Sequence, residues 1–429
     1  MVSRYAVKKV VFQSGERFSM LVDRHSGLPL FDPTVFTLTE CRARNLASAT
    51  IEQVLRSLMV FHLYLDLHRI ALQERLIEGR LLDLGEIDDL VRFCRKPLNT
   101  LDADQDSPRV LSAESVTVTS IEKFRMRAKV MQPEVGGKSA AIRIHYIRDY
   151  LRWIVDRHLL GFGRRQDDCA TLERTRDAVL SAIDARIPTG KGRNATNQRE
   201  GISPEALAHL VAVIEPNSPD NPWVGKHARE RNALIIHWFI ALGLRRGELL
   251  GIRISDIDFR ANQVLIALRA DDKNDPRRNQ PNTKTNDRIV PLGDDLARRT
   301  REYIFGARRA FADARKKHDF VIVANGRGRP LTLIALNKIF DALRRKCPEL
   351  PSALGPHLLR HTWNDSFSDV MDKQGVKEDD EKKMRSTLMG WKPTSDTAAT
   401  YTRRTTKRRA RKASLELQEG MVKPKLNEK

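Results

Sequence analysis

Residues 355–401 read GPHLLRHTWNDS…LMGWKPTSDTAATY and gather side chains suited to handling a phosphate. Pro356 directly before His357 predicts a helix start, because proline fills a first-turn position whose N–H would have no intrahelical partner. His357, Arg360 and His361 follow at spacings of three and four, so they share one face of that helix. A helix N-terminus offers free N–H groups and the positive end of its dipole, and an arginine fork matches two phosphate oxygens. Trp391 adds one more N–H donor. Tyr401 is the last of six tyrosines. Its phenol becomes a nucleophile only when the proton leaves in step with attack or nearby cations steady the oxygen. Taken singly, a histidine and an arginine on one face also fit an ion-paired surface, and a late tyrosine also fits packing.

Two upstream segments complete a pattern. The run Leu234, Ile235, Ile236, Trp238, Phe239, Ile240 is apolar nearly all round and predicts a buried helix over 228–242, ending at Gly243. Then the chain turns polar: Leu244, Arg245, Arg246, Gly247, Glu248. A charge delivered to the end of a buried helix needs a partner, and Glu248, three positions on, is placed to orient Arg245. Strand-like runs at 264–268 and 288–292 flank a charged stretch and predict a long hairpin carrying Lys284 near its returning arm. A short strand is expected at 320–323, a helix at 333–346, and Ser203-Pro204-Glu205 marks another helix start.

Before these segments, residues 1–46 read as extended structure, with a β-hairpin formed by 5–12 and 17–22 around the turn 13–16. From Ser48 the spacing becomes helical (Ile51, Val54, Leu55, Leu58, Met59, Phe61), with Ser48 or Thr50 as cap. Further helices are expected at 70–95, 113–133, 138–160 and 167–186. In 138–160, Ile144, Ile147, Tyr150, Leu151 and Ile154 interleave with Lys138, Arg143, Arg148, Arg152 and Arg157. Such a helix can bury one side and offer the other to DNA phosphates, although for any single arginine a merely solvated face fits as well. The polar stretch PTGKGRNATNQREG reads as a linker. The expected organisation is therefore an N-terminal extension (1–46), a helical domain (47–187), a linker (188–201), a second domain (202–411) and a tail (412–429).

Lys plus Arg number 76 against 55 Asp plus Glu, giving +21 and a pI near 10.0. Nucleic acid is the partner this implies. The basic residues are spread over the whole length rather than along one amphipathic helix, which argues against a membrane surface. Cys41, Cys94, Cys169 and Cys347 are spaced too widely for a zinc site or a disulfide framework, so no metal is expected. MVSRYAVKKV has no signal-peptide core, and a cytoplasmic, nucleoid-associated bacterial protein is expected.

Arg245 in GLRRGELLGI, Lys284 in TKTNDRIVPL, His357 and Arg360 in HLLRHT, Trp391 in MGW and Tyr401 in TAATYTRR stand in an order that resembles the tyrosine recombinase, or phage integrase, family. The resemblance spans about 201–411, and the helical region before the linker is similar to that family's core-binding domain. It implies a mainly α fold with a small antiparallel sheet, and strand exchange on duplex DNA through a 3′-phosphotyrosyl link and a Holliday junction, without a cofactor. It assigns Tyr401 as nucleophile, Arg245 and Arg360 as a phosphate clamp, and Lys284 as the acid that protonates the leaving 5′ oxygen. His357 would accept the tyrosine proton or steady the phosphate, Trp391 would donate to a phosphate oxygen, and Glu248 and His361 would support. It further implies a tetramer on DNA, linked by a docking C-terminal helix unless the tail is simply basic and flexible, and leaves room for companion recombinases. Two features depart from the pattern: Trp391 replaces a more usual histidine, and it stands ten positions before Tyr401, one more than usual. Rival readings are a type IB topoisomerase-like nicking and rejoining enzyme and a DNA-binding accessory protein with a degenerate pocket. A covalent DNA adduct on Tyr401 separates the last from the others.

Overall fold

The computed structural model describes residues 3–101, 134–161, 166–189, 201–281 and 285–392, together with 398, 401, 402, 406, 410 and 413–418. The chain divides into two compact units, Met1–Ala195 and Thr196–Lys429. The fold is mainly α with small antiparallel sheets.

In the first unit, β1 (Tyr5–Val11) and β2 (Arg17–Asp23) form the expected hairpin, paired from Tyr5↔Asp23 to Val11↔Arg17. The remainder of 1–46 is not extended: α1 (Phe31–Phe36) runs into a π-helical turn, Thr37–Arg42. Helix α2 (Ser48–Leu67) follows without a side-chain cap. The Ser48 hydroxyl instead donates to the Arg17 carbonyl at 3.2 Å, tying helix to hairpin. The expected helix at 70–95 is two pieces, α3 (Leu72–Ile77) and α4 (Leu84–Phe93). Gly79 at φ +74° breaks them, and Asp83 caps the second by accepting from the Glu86 N–H at 2.8 Å. The helix expected at 113–133 lies outside the described residues. Helices α5 (Gly137–Leu159) and α6 (Gln166–Asp184) complete the unit. Leu55, Leu58, Phe61 and Tyr64 of α2 share one core with Ile147, Tyr150 and Leu151 of α5, and Tyr5, Leu21 and Phe36 enter the same core. The hairpin is thus packed into this unit.

In the second unit, Ser203 caps α7 (Pro204–Ile214) by accepting from the Ala206 N–H at 3.2 Å. Helix α8 (Lys226–Leu242) is buried, as its apolar circumference requires, with Trp238 and Phe239 fully enclosed. It leads to α9 (Arg246–Gly251) and a three-stranded antiparallel sheet, β3 (Ile257–Asp258), β4 (Gln263–Ile266) and β5 (Arg288–Pro291). Residues 320–323 make only isolated bridges, Arg253↔Phe320 and Val323↔Pro330, so the strand expected there is absent; Gly326 and Gly328, both at positive φ, turn the chain too tightly for a ladder to extend. Helices α10 (Asp294–Phe305), α11 (Leu333–Lys346), α12 (Pro356–Lys373) and α13 (Glu378–Met389) enclose the core around Trp238, Phe239, Val264, Phe340 and Leu359. Residues 413–418 are helical and exposed.

Candidate active site

Helix α8 ends at Gly243, in the left-handed region at φ +57°. A Cβ there would lie 2.9 Å from the Trp363 ring, so glycine serves both the turn and the close approach of α12. Two residues later Arg245 opens α9. Its N–H donates to Glu248 Oε2 at 2.8 Å and its Nη1 to Oε1 at 3.1 Å, as the spacing predicted. Arg246 is exposed and donates to Asn337 Oδ1 at 3.0 Å, whereas Arg245 pairs with the buried Glu248.

Glu248 is 2% exposed and serves more than Arg245. Thr285 Oγ1 donates to it at 2.8 Å and Arg288 Nη2 at 3.1 Å, and Arg360 Nη1 lies 3.9 Å away. Burial pushes this carboxyl up, but the Arg288 guanidinium, the Arg245 N–H and Arg360 more than offset it and hold its pKa to about 2. One carboxylate therefore fixes three arginines that would otherwise repel one another.

Proline stands in the first turn of α12, as expected. The helix carries His357 outward and Arg360 inward, 4% exposed. Arg360 Nη1 donates to the Gly243 carbonyl at 2.6 Å, and its guanidinium lies over the Trp391 ring, 5.4 Å from the centroid. Burial, then the positive Arg245, lower its pKa to about 10, which leaves it protonated at neutral pH. Its Nη2 is buried and has no acceptor among the described residues. Trp391 Nε1 is in the same condition.

Trp391 stacks on Tyr401 with ring centroids 5.7 Å apart and planes 8° from parallel, so the extra residue between them does not separate them. The His361 ring lies 5.6 Å from Tyr401, and His361 Nε2 is 3.2 Å from His357 Nε2. His361 is thus the histidine beside the phenol ring, with His357 next in line. Lys284 lies outside the described residues. Its arm nevertheless reaches the site: Thr285 contacts Glu248, and the Asn286 N–H donates to the Gly390 carbonyl at 3.1 Å. Gly390, at φ +65°, ends α13, and a Cβ there would meet Asn286 O at 2.8 Å.

A buried guanidinium and a buried indole, each with an N–H that has no acceptor among the described residues, belong to a cluster that also holds a tyrosine, a histidine pair and a second arginine. Donors of this kind are chemically suited to an anion beside a phenol. Residues 217–408 match the family model described as Phage integrase family. Over these residues the chain is similar to the phage integrase, or tyrosine recombinase, family. Among curated proteins, the tyrosine recombinase XerC of Anoxybacillus flavithermus is 28% identical over 162 residues, covering 38% of this chain and 46% of that protein. XerC of Chlamydia caviae is 27% identical over 177 residues, covering 40% and 50%. The chain thus spans about half the length of the curated relatives it matches. Among solved structures, the integrase of the Tn1549 transposon in complex with a circular intermediate DNA aligns at a TM-score of 0.39 and 15% identity, over 67% of this chain and 95% of that one. The XerH site-specific recombinase bound to difH aligns at 0.44 and 14%, over 82% and 93%.

Sequence reasoning missed part of this site. Thr285 and Arg288 were not singled out, although alternation along β5 puts Arg288 on the inward face with Val290 while Ile289 is exposed. Arg385 was missed too, and a lone arginine in a charged helix gave no signal. In the first unit, three of the five basic residues interleaved along α5 are used internally, Arg157 Nη1 donating to Asp32 Oδ1 at 2.6 Å. Arg143 Nη1 donates to the carbonyls of Cys94 and Lys96 at 2.9 and 2.7 Å, finishing α4, and Arg148 bonds Asp184 and Asp149 at 2.6 and 2.8 Å. Lys138 and Arg152 are exposed on α5. No described helix is long and apolar enough to cross a membrane.

Proposed function

We propose that this chain is a site-specific DNA recombinase that cuts and rejoins duplex DNA through a 3′-phosphotyrosyl intermediate and a Holliday junction, for integration, excision or transposition of a mobile element. The observation that carries the reading is the pair of buried donors, Arg360 Nη2 and Trp391 Nε1, which have no acceptors among the described residues and lie in the cluster around Tyr401. A scissile phosphate seated there accepts from both, while Arg245, steadied by Glu248, meets its other side. In the transition state the added negative charge falls on the non-bridging oxygens that these donors address.

The Tyr401 oxygen attacks phosphorus, its proton passing to the histidine pair, and the bond to the 5′ oxygen breaks. Lys284 protonates that oxygen, leaving a free 5′ hydroxyl and the 3′ phosphate on Tyr401. A 5′ hydroxyl from the other duplex then attacks the phosphotyrosine and regenerates the phenol. Every phosphodiester broken is remade, so no energy source is consumed. Trp391 donates a hydrogen bond but cannot shuttle a proton, which leaves acid-base work to Lys284 and the histidines. Exposed Lys138 and Arg152 on α5 contact the duplex backbone, four protomers assemble on paired sites, and companion recombinases can share that assembly. Action on the nucleoid in the cytoplasm follows from the substrate.

The test is covalent trapping. Wild type, incubated with nicked duplexes from the flanks of its own gene, is expected to form a denaturation-resistant adduct, and Tyr401→Phe to bind the same DNA without one. Tight binding by both proteins and no adduct from either on any flank would favour the accessory-protein reading instead.

A further inference from the structure

Arg385, on α13, is fully buried and lies behind the proposed nucleophile. Its Nη1 donates to Asn364 O at 2.9 Å and Asn364 Oδ1 at 3.0 Å, its Nη2 donates to Ser368 Oγ at 2.6 Å, and it is ion-paired with Glu381. Ser368 Oγ in turn donates to Glu381 Oε1 at 2.6 Å. Stripping water from both charges is costly, and well-packed apolar residues would hold α12 to α13 at least as well. What an apolar pair would not supply is the guanidinium plane. That plane lies over two rings, Phe367 at 5.1 Å and Tyr401 at 5.6 Å from the centroids.

We propose that Arg385 is a positioning residue for Tyr401, tying the phenol ring to α12 and α13 so that it reaches the phosphate site in one orientation. This rests on the recombinase reading of that site. The link belongs to a closed circuit. Trp363 donates to Ala241 O at 2.9 Å and abuts Gly243; Phe367 stacks on Trp363 at 5.1 Å; Arg385 joins Phe367 to Tyr401. Tyr401 stacks on Trp391, Trp391 lies under Arg360, and Arg360 returns to Gly243 O. Nucleophile and phosphate clamp are thereby referred to one point of the backbone, the end of α8. Glu381 neutralises the Arg385 charge at contact distance, so the contribution is orientation and not a field on the phenol oxygen. A guanidinium held over a tyrosine face attracts the ring electrostatically and so favours the placement that keeps it within reach.

The test uses the full chain labelled with 3-fluorotyrosine, its Tyr401 resonance assigned by Tyr401→Phe, alongside single-turnover cleavage of a nicked duplex. The double variant Glu381→Gln/Arg385→Met keeps the hydrogen bond to Ser368 and leaves no buried charge unpaired. It is expected to bind duplex within about threefold of wild type, to move or broaden the Tyr401 fluorine resonance, and to cleave roughly 30- to 100-fold more slowly, the scale of an ångström's misplacement. The pH profile should keep its shape. Arg385→Lys, which keeps the charge but not the planar fork, should lose about tenfold and shift the same resonance. Either variant folding, cleaving within threefold of wild type and leaving the resonance in place overturns the proposal. Should the double variant fail to fold, Phe367→Leu removes the other ring under the cation, and the same two readouts decide. Should wild type itself form no adduct, the recombinase reading fails, and the fluorine resonance of Arg385→Lys alone decides: a shift supports positioning and an unchanged line refutes it.

Discussion

Arg143 in the first unit and Arg360 in the second are both arginines withdrawn from solvent that cap backbone carbonyls, and they differ in what is left over. Arg143 spends its fork on the carbonyls of Cys94 and Lys96. Arg360 spends one nitrogen on Gly243 and holds the other buried without an acceptor among the described residues. The histidines differ likewise. His62 is enclosed among the rings of Tyr5, Phe61 and Tyr150, and burial lowers its pKa to about 4, so it is a neutral core residue. His361 stands between Tyr401 and His357. His62 Nε2 also lacks a partner among the described residues, so an orphaned atom does not by itself mark a site. What distinguishes Arg360 is that its Nη2, without an acceptor among the described residues, carries a charge, and that its guanidinium lies over the ring of Trp391, whose Nε1 is in the same condition.

The sharpest way to break this contrast is Tyr401→Phe, which should reduce adduct formation by at least about 10⁴-fold while leaving duplex affinity unchanged. Next, Arg360→Ala should slow single-turnover cleavage roughly 10²- to 10³-fold. Arg143→Ala should leave cleavage alone and instead destabilise the first unit by about 1–3 kcal/mol in urea unfolding, because two carbonyls lose their donor. Equal cleavage defects in the two variants would erase the distinction.

Acid should also separate the two units. His62, held below the ordinary 6.5, stabilises the first unit above that pH, and its contribution is lost as pH falls from 6.5 through about 4. Glu248, held at about 2 against an ordinary 4.5, keeps its contribution until pH falls below 4.5 and loses it through about 2. Each window is worth about 3 kcal/mol. Unfolding free energies should therefore flatten between pH 6.5 and 4 in His62→Phe, and between pH 4.5 and 2 in Glu248→Gln. The smallest effects concern α5. Arg152→Ala should lower the salt dependence of duplex binding by about one phosphate contact, and Arg148→Ala, whose fork is already paired, should leave it unchanged.

What the sequence made legible followed from periodicity and single-residue chemistry. The buried helix ending at Gly243, the proline-started helix of His357 and Arg360, and the Arg245–Glu248 pair all depend on contacts within four residues of each other. The misses are long-range. Arg288 reaches Glu248 across 40 positions, and Arg385, beyond the ordinary i,i+4 pair with Glu381, draws its partners from the preceding helix, so no local pattern announces what either does. Residues 320–323 have strand composition, but the partners found for them allow only single bridges. Arg143 and Arg148 looked like DNA contacts because composition reports charge and not the partner already claiming it.

The central claim is that the unmatched donor of Arg360 answers the negative charge of a scissile phosphate. It is tested most directly by pairing Arg360→Ala with a duplex in which one non-bridging oxygen at the cleavage site is replaced by methyl, which removes that charge. The account predicts that the loss of roughly 10²- to 10³-fold on ordinary DNA shrinks to less than about tenfold on the methylphosphonate. An equal loss on both substrates would contradict it.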